Sequence, residues 1–385
     1  MELIAKTLAG LEGVLAQELR ELGATDVEPV RRAVQFTGDL ELLYRANYEL
    51  RTAIRILLPI AAFQTRHPDS LYRRILKIDW SQYMGVNDTL AVDSFTHSPH
   101  FKHSKYAALK VKDAIVDQFR KKYGRRPNVD LTRPDLRINV HITNENCSVA
   151  LDSSGDSLHK RGYRLEAVEA PINEVLAAGM ILLSGWERNT HFIDPMCGSG
   201  TLPIEAGLYA WNIPPQIHRQ QFGFMKWQNF DRNLWDQVVE TANAQQIDFP
   251  CQILGYDQSF KASRIAQHNV EAAQMEGKVR IDRCSFEKLT PPEGKGILMM
   301  NPPYDERLED TNINELYTTI GNQLKREFPG YEAWIISSNY QALKNIGLRP
   351  AKKIILFNGP LECKFQKFEL YEGSRKNRKT VDNEQ

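Results

Sequence analysis

Asp194-Pro195-Met196-Cys197-Gly198-Ser199-Gly200-Thr201 and Asn301-Pro302-Pro303-Tyr304 are the two stretches of this 385-residue chain whose residue types and order could do chemistry. The first follows a short apolar run, Phe192-Ile193, and precedes a helical run, Leu202–Ala210. Glycines there let a ligand approach the backbone, and a helix N-terminus favours an anionic group. The stretch lacks the third glycine of a dinucleotide fingerprint and the Gly-Lys-Ser/Thr of a phosphate loop, which disfavours a nucleoside triphosphate. A carboxylate at the strand end suits the amino-acid part of S-adenosylmethionine instead. Its ammonium would meet Asp194, and its carboxylate the amides of the turn.

A second acidic strand end, Gly255-Tyr256-Asp257-Gln258, falls where a carboxylate accepts both ribose hydroxyls. Taken singly, a Gly-Ser-Gly turn is structural and Asp257 caps the helix after it. The ordered pair of acidic strand ends is what points to a cofactor site built from Asp194, Met196, Cys197, Gly198, Ser199, Gly200, Thr201, Asp257 and Gln258. Cys197 invites a nucleophile reading, but no histidine near it in sequence would activate it, and a small side chain packed under the loop explains it better.

Asn301-Pro302-Pro303-Tyr304 closes the apolar run Gly296–Met300. Two prolines remove two backbone donors and leave carbonyls free to accept. Asn301 and the Pro302 carbonyl can each accept a hydrogen from an exocyclic NH2, aiming the nitrogen lone pair at a methyl donor, and Tyr304 offers a flat face to an unpaired base. On a surface loop the same tetrapeptide would be a turn with a core tyrosine. At the end of a buried strand on the cofactor's own sheet, the chemical reading is the better one.

Positioning these groups takes a parallel sheet. From about residue 170 the apolar runs at 192–194, 252–257, 279–283, 296–300, 333–337 and 352–357 alternate with helical periods, and a polar-apolar strand follows at 363–370. The Trp-, Gln- and Asn-rich stretch 211–250 interrupts the alternation and reads as an insertion of helix and loop. Residues 1–160 read as mixed α+β, with a helix at 105–122 carrying Ala108, Val111, Ile115 and Phe119 on its apolar face, and a hairpin of 137–142 with 147–152. No strand-helix-strand crossover stands out there.

Length suits two or three domains. Five scattered cysteines without a Cys-x-x-Cys pair argue against a disulfide framework and a zinc site, and for a reducing cytoplasm. The N-terminus does not read as a secretory signal, and no run reaches membrane-spanning length. His97, His100 and His103 do not make a metal site, since Pro99 breaks the helix and no acidic or cysteine ligand is adjacent. Net charge is +1, but 1–165 holds 25 Lys+Arg against 20 Asp+Glu and the remainder 24 against 28, so the halves are +5 and −4. The basic excess centres on Phe101, Lys102, Lys105, Tyr106, Lys110, Lys112, Arg120, Lys121, Lys122, Arg125 and Arg126, with Lys160, Arg161 and Arg164 further on. Cations interleaved with aromatics suit an RNA backbone, and Lys160, Arg161 and Arg164 could contact RNA or merely pin the two domains together.

On the Asp194 and Asn301 motifs, together with Lys112–Arg120, Gly124–Pro127, Leu158–Arg164 and Ala170–Glu174, the chain resembles THUMP-domain class I RNA methyltransferases of RlmL type, which modify guanine N2 in 23S rRNA. The resemblance implies a ferredoxin-like domain over 1–60, a THUMP RNA-binding domain over 61–165, a Rossmann-like methyltransferase domain over 166–374 with seven strands and the last antiparallel, and a flexible tail at 375–385. It also implies S-adenosyl-L-methionine as cofactor and 23S rRNA or a large-subunit assembly intermediate as partner. Longer relatives fuse a second methyltransferase module, which this sequence lacks, so only the guanine-N2 activity is expected. Where such enzymes carry an Asp for the adenine amine, this chain has Ser285 followed by Phe286, leaving a hydroxyl to accept and a ring to lie against the base. The rivals are a tRNA guanine-N2 or adenine-N6 methyltransferase on the same scaffold, a protein-glutamine methyltransferase, and a non-catalytic RNA-binding protein with a decayed domain.

Overall fold

Alternating burial builds the first sheet. The computed structural model describes residues 1–168, 171–303 and 310–371. In chain order the elements are β1 (Glu2–Lys6), α1 (Glu12–Glu21), β2 (Thr25–Val30), β3 (Ala33–Thr37), α2 (Leu40–Glu49), β4 (Arg55–Gln64), α3 (Pro68–Ile75), β5 (Thr89–His97), α4 (Ser104–Tyr123), β6 (Asn128–Val129), β7 (Leu136–Thr143) and β8 (Asn146–Asp152). They form one sheet in the order β2-β3-β1-β4-β8-β7-β5-β6. The ten-residue β4 joins its halves, pairing with β1 through Arg55–Leu57 and with β8 from Leu57 to Gln64. Pro59 sits in this central strand where the register with β8 shifts, which is where a residue without an N–H is tolerated.

β7 and β8 close the expected hairpin through a two-residue loop, Asn144-Glu145, with Asn144 at φ 53°. A crossover that the sequence did not announce is present, because β5 and β7 run parallel with α4 between them. α4 buries Ala107, Val111, Ala114, Ile115 and Phe119, so Ala107 rather than Ala108 belongs to its core face, and it ends at Gly124 in the left-handed region. Residues 219–242, the centre of the expected insertion, cluster with this first unit. Their rings cover α2: Phe224 stacks on Tyr44 at 4.5 Å, and the Asp231 amide donates to the Tyr44 hydroxyl at 3.0 Å.

The second unit comprises residues 8–14, 159–218 and 243 onward. It contains α5 (Glu174–Ser184), β9 (His191–Asp194), α6 (Thr201–Ala210), β10 (Ile253–Asp257), α8 (Phe260–Ala272), β11 (Val279–Arg283), β12 (Gly296–Met300), α9 (Asp310–Glu327), β13 (Glu332–Ser337), β14 (Lys352–Asn358) and β15 (Leu361–Glu369), while α7 (Arg232–Ala244) lies almost wholly in the first. The sheet order is β11-β10-β9-β12-β13-β15-β14. Strands β9 to β13 are parallel, and β15 is antiparallel to both neighbours, as expected. Every residue of β12 is buried, which requires cover on both faces. Strand order reverses between β9 and β12, so a crevice opens at their carboxyl ends. Among the described residues no helix is long and apolar enough to cross a membrane.

Candidate functional site

The two acidic strand ends share one turn. Asp194 pairs with Gly255 across the β9–β10 ladder, which sets Asp257 two residues beyond it. Asp194 is only 2% exposed, and its Oδ1 accepts from the Met196 amide at 3.1 Å. Asp257 accepts from the Gly198 amide at 3.1 Å and the Ser259 amide at 2.8 Å, so the carboxylate of β10 shapes the turn after β9. Gly198 and Gly200 have φ of 54° and 82°, where an L side chain is strained. Gly255 serves the same turn from below: a Cβ there would lie 2.5 Å from Ile281 Cδ1 and 3.3 Å from Cys197 Cβ. Cys197 is buried against this glycine, and burial holds its thiol well above the usual range, so it packs rather than attacks.

Burial first, and then the neighbouring Asp257, hold the Asp194 carboxyl well above the ordinary carboxylate range. Burial raises Asp257 as well. Two carboxylates in a water-poor turn are complementary to a cation and to hydroxyl donors. At α6 the N-cap is Gly200, without a side-chain cap, which leaves first-turn amides for an anion. A Cβ on Gly200 would press within 3.1 Å of Ala266 Cβ, so the backbone here packs as closely as glycine permits. An amino acid joined to a ribose, as in S-adenosylmethionine, matches this donor and acceptor set.

The turn opens into a cleft of about 1260 Å³. All nine expected cofactor residues from Asp194 to Gln258 line it except Gly200, whose place is the bend beneath; Ser285, Phe286, Asn301 and Pro302 line it too. Phe286 is a core ring, tilted on Phe328 at 5.7 Å, so the base of the cleft is rigid there. Tyr304 lies outside the described residues. The expected site left out Pro171 and Ile172, although they fall in the Ala170–Glu174 motif, and also Ser338–Tyr340 after β13 and Asn358 and Gly359 at the β14–β15 turn. The end of β13 was the findable part, since parallel strands present their carboxyl ends to the ligand.

The segment before α5 is tied to the glycine turn. Arg164 donates to the Ile172 carbonyl and to Thr201 Oγ1, each at 2.7 Å, and lies 3.4 Å from Glu174. Buried Asn269 of α8 donates to the Ser199 and Glu166 carbonyls at 2.9 and 3.0 Å. Arg164→Lys keeps a charge beside Glu174 but cannot span both partners. It is expected to cost about 1.5–3 kcal/mol of stability, read as a lower Tm, and to weaken S-adenosylhomocysteine binding in calorimetry. An unchanged Tm and affinity would show that the network holds nothing.

Arg161 needs a correction. Its side chain is 1% exposed and paired with Glu205 at 3.2 Å, with the Tyr163 hydroxyl donating to the same carboxylate, so it is a core ion pair and not an RNA contact. Arg164, half-buried behind the cleft-lining Ile172 and Thr201, is likewise a tether. Phe101, at 4% exposure, is a core ring, whereas Tyr106 is 48% exposed. Lys102, Lys105, Arg120, Lys121, Arg125 and Arg126 are exposed on α4 and its flanks, and Lys112 is half-buried beside Asp113.

Three domains match known families: residues 2–57 the RlmL ferredoxin-like domain, 66–152 the THUMP domain, and 161–367 the RMKL-like methyltransferase domain. A protein of Syntrophotalea carbinolica named "Ribosomal RNA large subunit methyltransferase K/L" is 42% identical over 94% of this chain and 53% of its own length. A Synechocystis sp. protein named as an RNA methyltransferase is 40% identical over 95% of this chain and 96% of its own length. The chain thus spans about half the length of the K/L relative and nearly all of the other. Among solved structures, a methyltransferase crystallised with S-adenosylhomocysteine superposes with a TM-score of 0.86 at 29% identity, covering 97% of this chain and 99% of that one.

Proposed function

Because the chain belongs to the RMKL-like methyltransferase family and its cofactor is S-adenosylmethionine, we propose that it methylates the exocyclic N2 amine of a guanine in large-subunit (23S) ribosomal RNA. One observation carries the reading: the glycine turn after β9 and the Asn301-Pro302-Pro303 turn after β12 open into one cleft, a cation-accepting end beside an amine-accepting end. The name of the K/L relative supplies the ribosomal target, and that of the Synechocystis relative supports RNA as the substrate class.

In this reading Asp194 holds the cofactor's ammonium, the α6 amides its carboxylate and Asp257 its ribose hydroxyls. Ser285 and Phe286 face the adenine. S-adenosylmethionine supplies a methyl group on a positively charged sulfur, so the acceptor needs only a correctly aimed lone pair. Asn301 and the Pro302 carbonyl accept the two amine hydrogens and thereby draw the lone pair out of conjugation with the ring. Tyr304 stacks on the base. The methylated nitrogen then sheds one proton, which water takes. Lys102, Lys105, Lys112, Arg120, Lys121, Arg125 and Arg126 track the RNA backbone, an attraction that salt weakens. The ferredoxin-like (1–60), THUMP (61–165) and methyltransferase (166–374) boundaries belong to the same reading.

The test is incubation of total RNA from a strain lacking the gene with the protein and labelled S-adenosylmethionine, followed by fractionation and digestion to nucleosides. Label in N2-methylguanosine of 23S rRNA supports the proposal. Label in transfer RNA or in N6-methyladenosine would replace it with the corresponding rival, and absence of label with retained RNA binding would favour the non-catalytic one.

A further inference from the structure

The acceptor end of the cleft holds an aromatic side chain outside both motifs. Met300 of β12 pairs with Ile335 of β13, so Asn301 and the residues after Ser337 leave the sheet at the same mouth. Tyr340 lies in that stretch and lines the cleft together with Asn301 and Pro302. Its ring is held by two side chains of β15, the antiparallel neighbour of β13. The hydroxyl donates to Glu362 Oε1 at 2.8 Å, and the Lys364 ammonium stands 3.8 Å from the ring centroid. Burial and the Glu362 carboxylate push the phenol up to about 12, so it remains a donor at neutral pH and the anchor persists. The same ring also packs against the core cluster that contains Phe286 and Ile320.

A tyrosine that only fills surface does not need a carboxylate on its hydroxyl and a cation on its ring. Both contacts cost side-chain freedom on three residues, and both fix the ring beside the turn that accepts an amine. A flat apolar surface held next to hydrogen-bond acceptors is complementary to a nucleobase, whose face stacks while its edge is read.

We propose that Tyr340 bears on the flat face of the acceptor base and, with Asn301, sets where the exocyclic amine comes to rest. The proposal rests on the nucleobase-methyltransferase reading above. Its test uses the full chain loaded with S-adenosylhomocysteine, with guanosine as the probe in saturation-transfer NMR, and in parallel methyl transfer to RNA from the deletion strain. Tyr340→Leu is expected to lower both guanosine affinity and methyl transfer by roughly 10- to 100-fold, with S-adenosylhomocysteine affinity unchanged. Tyr340→Phe keeps the ring and is expected to keep most of both.

Unchanged guanosine affinity in the leucine variant would overturn the proposal. So would a parallel loss of S-adenosylhomocysteine affinity, which would mark Tyr340 as a support of the sheet, and so would a wild-type protein that binds no guanosine. A wild-type protein that binds guanosine through Tyr340 yet labels no RNA would sustain the stacking surface and sink the RNA methyltransferase reading.

Discussion

Replacing Asn301 with alanine is expected to lower methyl transfer by at least ~100-fold while the protein stays folded and still binds S-adenosylhomocysteine. The side chain stands at the carboxyl end of a strand buried along its whole length, and it is only half-buried itself, so truncation leaves β12 and the following prolines in place. What it removes is the acceptor that aims the amine. Because that acceptor works on the reacting nitrogen, its loss falls on the chemical step more than on ground-state binding. If Asn301 also touches the cofactor, one lost hydrogen bond weakens that binding by no more than ~10-fold. Asn301→Asp retains an acceptor and is expected to fall between the wild type and the alanine variant. Single-turnover transfer rates and calorimetric affinities, measured on the same preparations, separate the two effects. Full activity in the alanine variant would remove the proposed mechanism.

Asn301 and Asp194 could be read from sequence because each ends a short apolar run and begins a turn whose residue types are chemically unusual. The sheet that carries them was readable for the same reason: buried parallel strands are continuous apolar runs separated by helical periods. What failed to show depends on distance along the chain. Arg161 looks like its neighbour Lys160 until Glu205, 44 residues later, is seen to bury it. Phe101 sits among lysines and is nonetheless a core ring, because residue type does not report burial within a mixed segment. The return of residues 219–242 to cover Tyr44 has no local signal, since an aromatic-rich insertion does not say which surface it will cover. β5, α4 and β7 were each legible, but their parallel pairing is a fact about three segments together. Tyr340 was invisible for a related reason: its anchors lie on a strand that follows it by more than twenty residues.

Asp194→Asn is expected to change cofactor binding and apo stability in opposite directions, which a merely structural aspartate would not do. Asparagine keeps the acceptor for the Met196 amide but not the charge. Losing one partner of a buried charged pair costs about 2–5 kcal/mol, so S-adenosylhomocysteine should bind roughly 30- to 4000-fold more weakly. The apo protein should gain. Burial and Asp257 raise the folded-state pKa of Asp194 above its unfolded value, so the folded state favours the protonated form. Stability from this group is therefore greatest below the unfolded pKa and declines as pH rises from there through the raised folded value. Asparagine removes that decline, and near neutral pH its Tm should exceed the wild-type value by about 2–4 °C for each kcal/mol relieved. Cofactor binding runs the other way, because the ammonium needs the ionised carboxylate. Affinity of the wild-type protein should fall by up to about tenfold per pH unit once the pH drops below the raised pKa, and the asparagine variant should lack that dependence. An asparagine variant with wild-type affinity at every pH would place the ammonium elsewhere in the cleft.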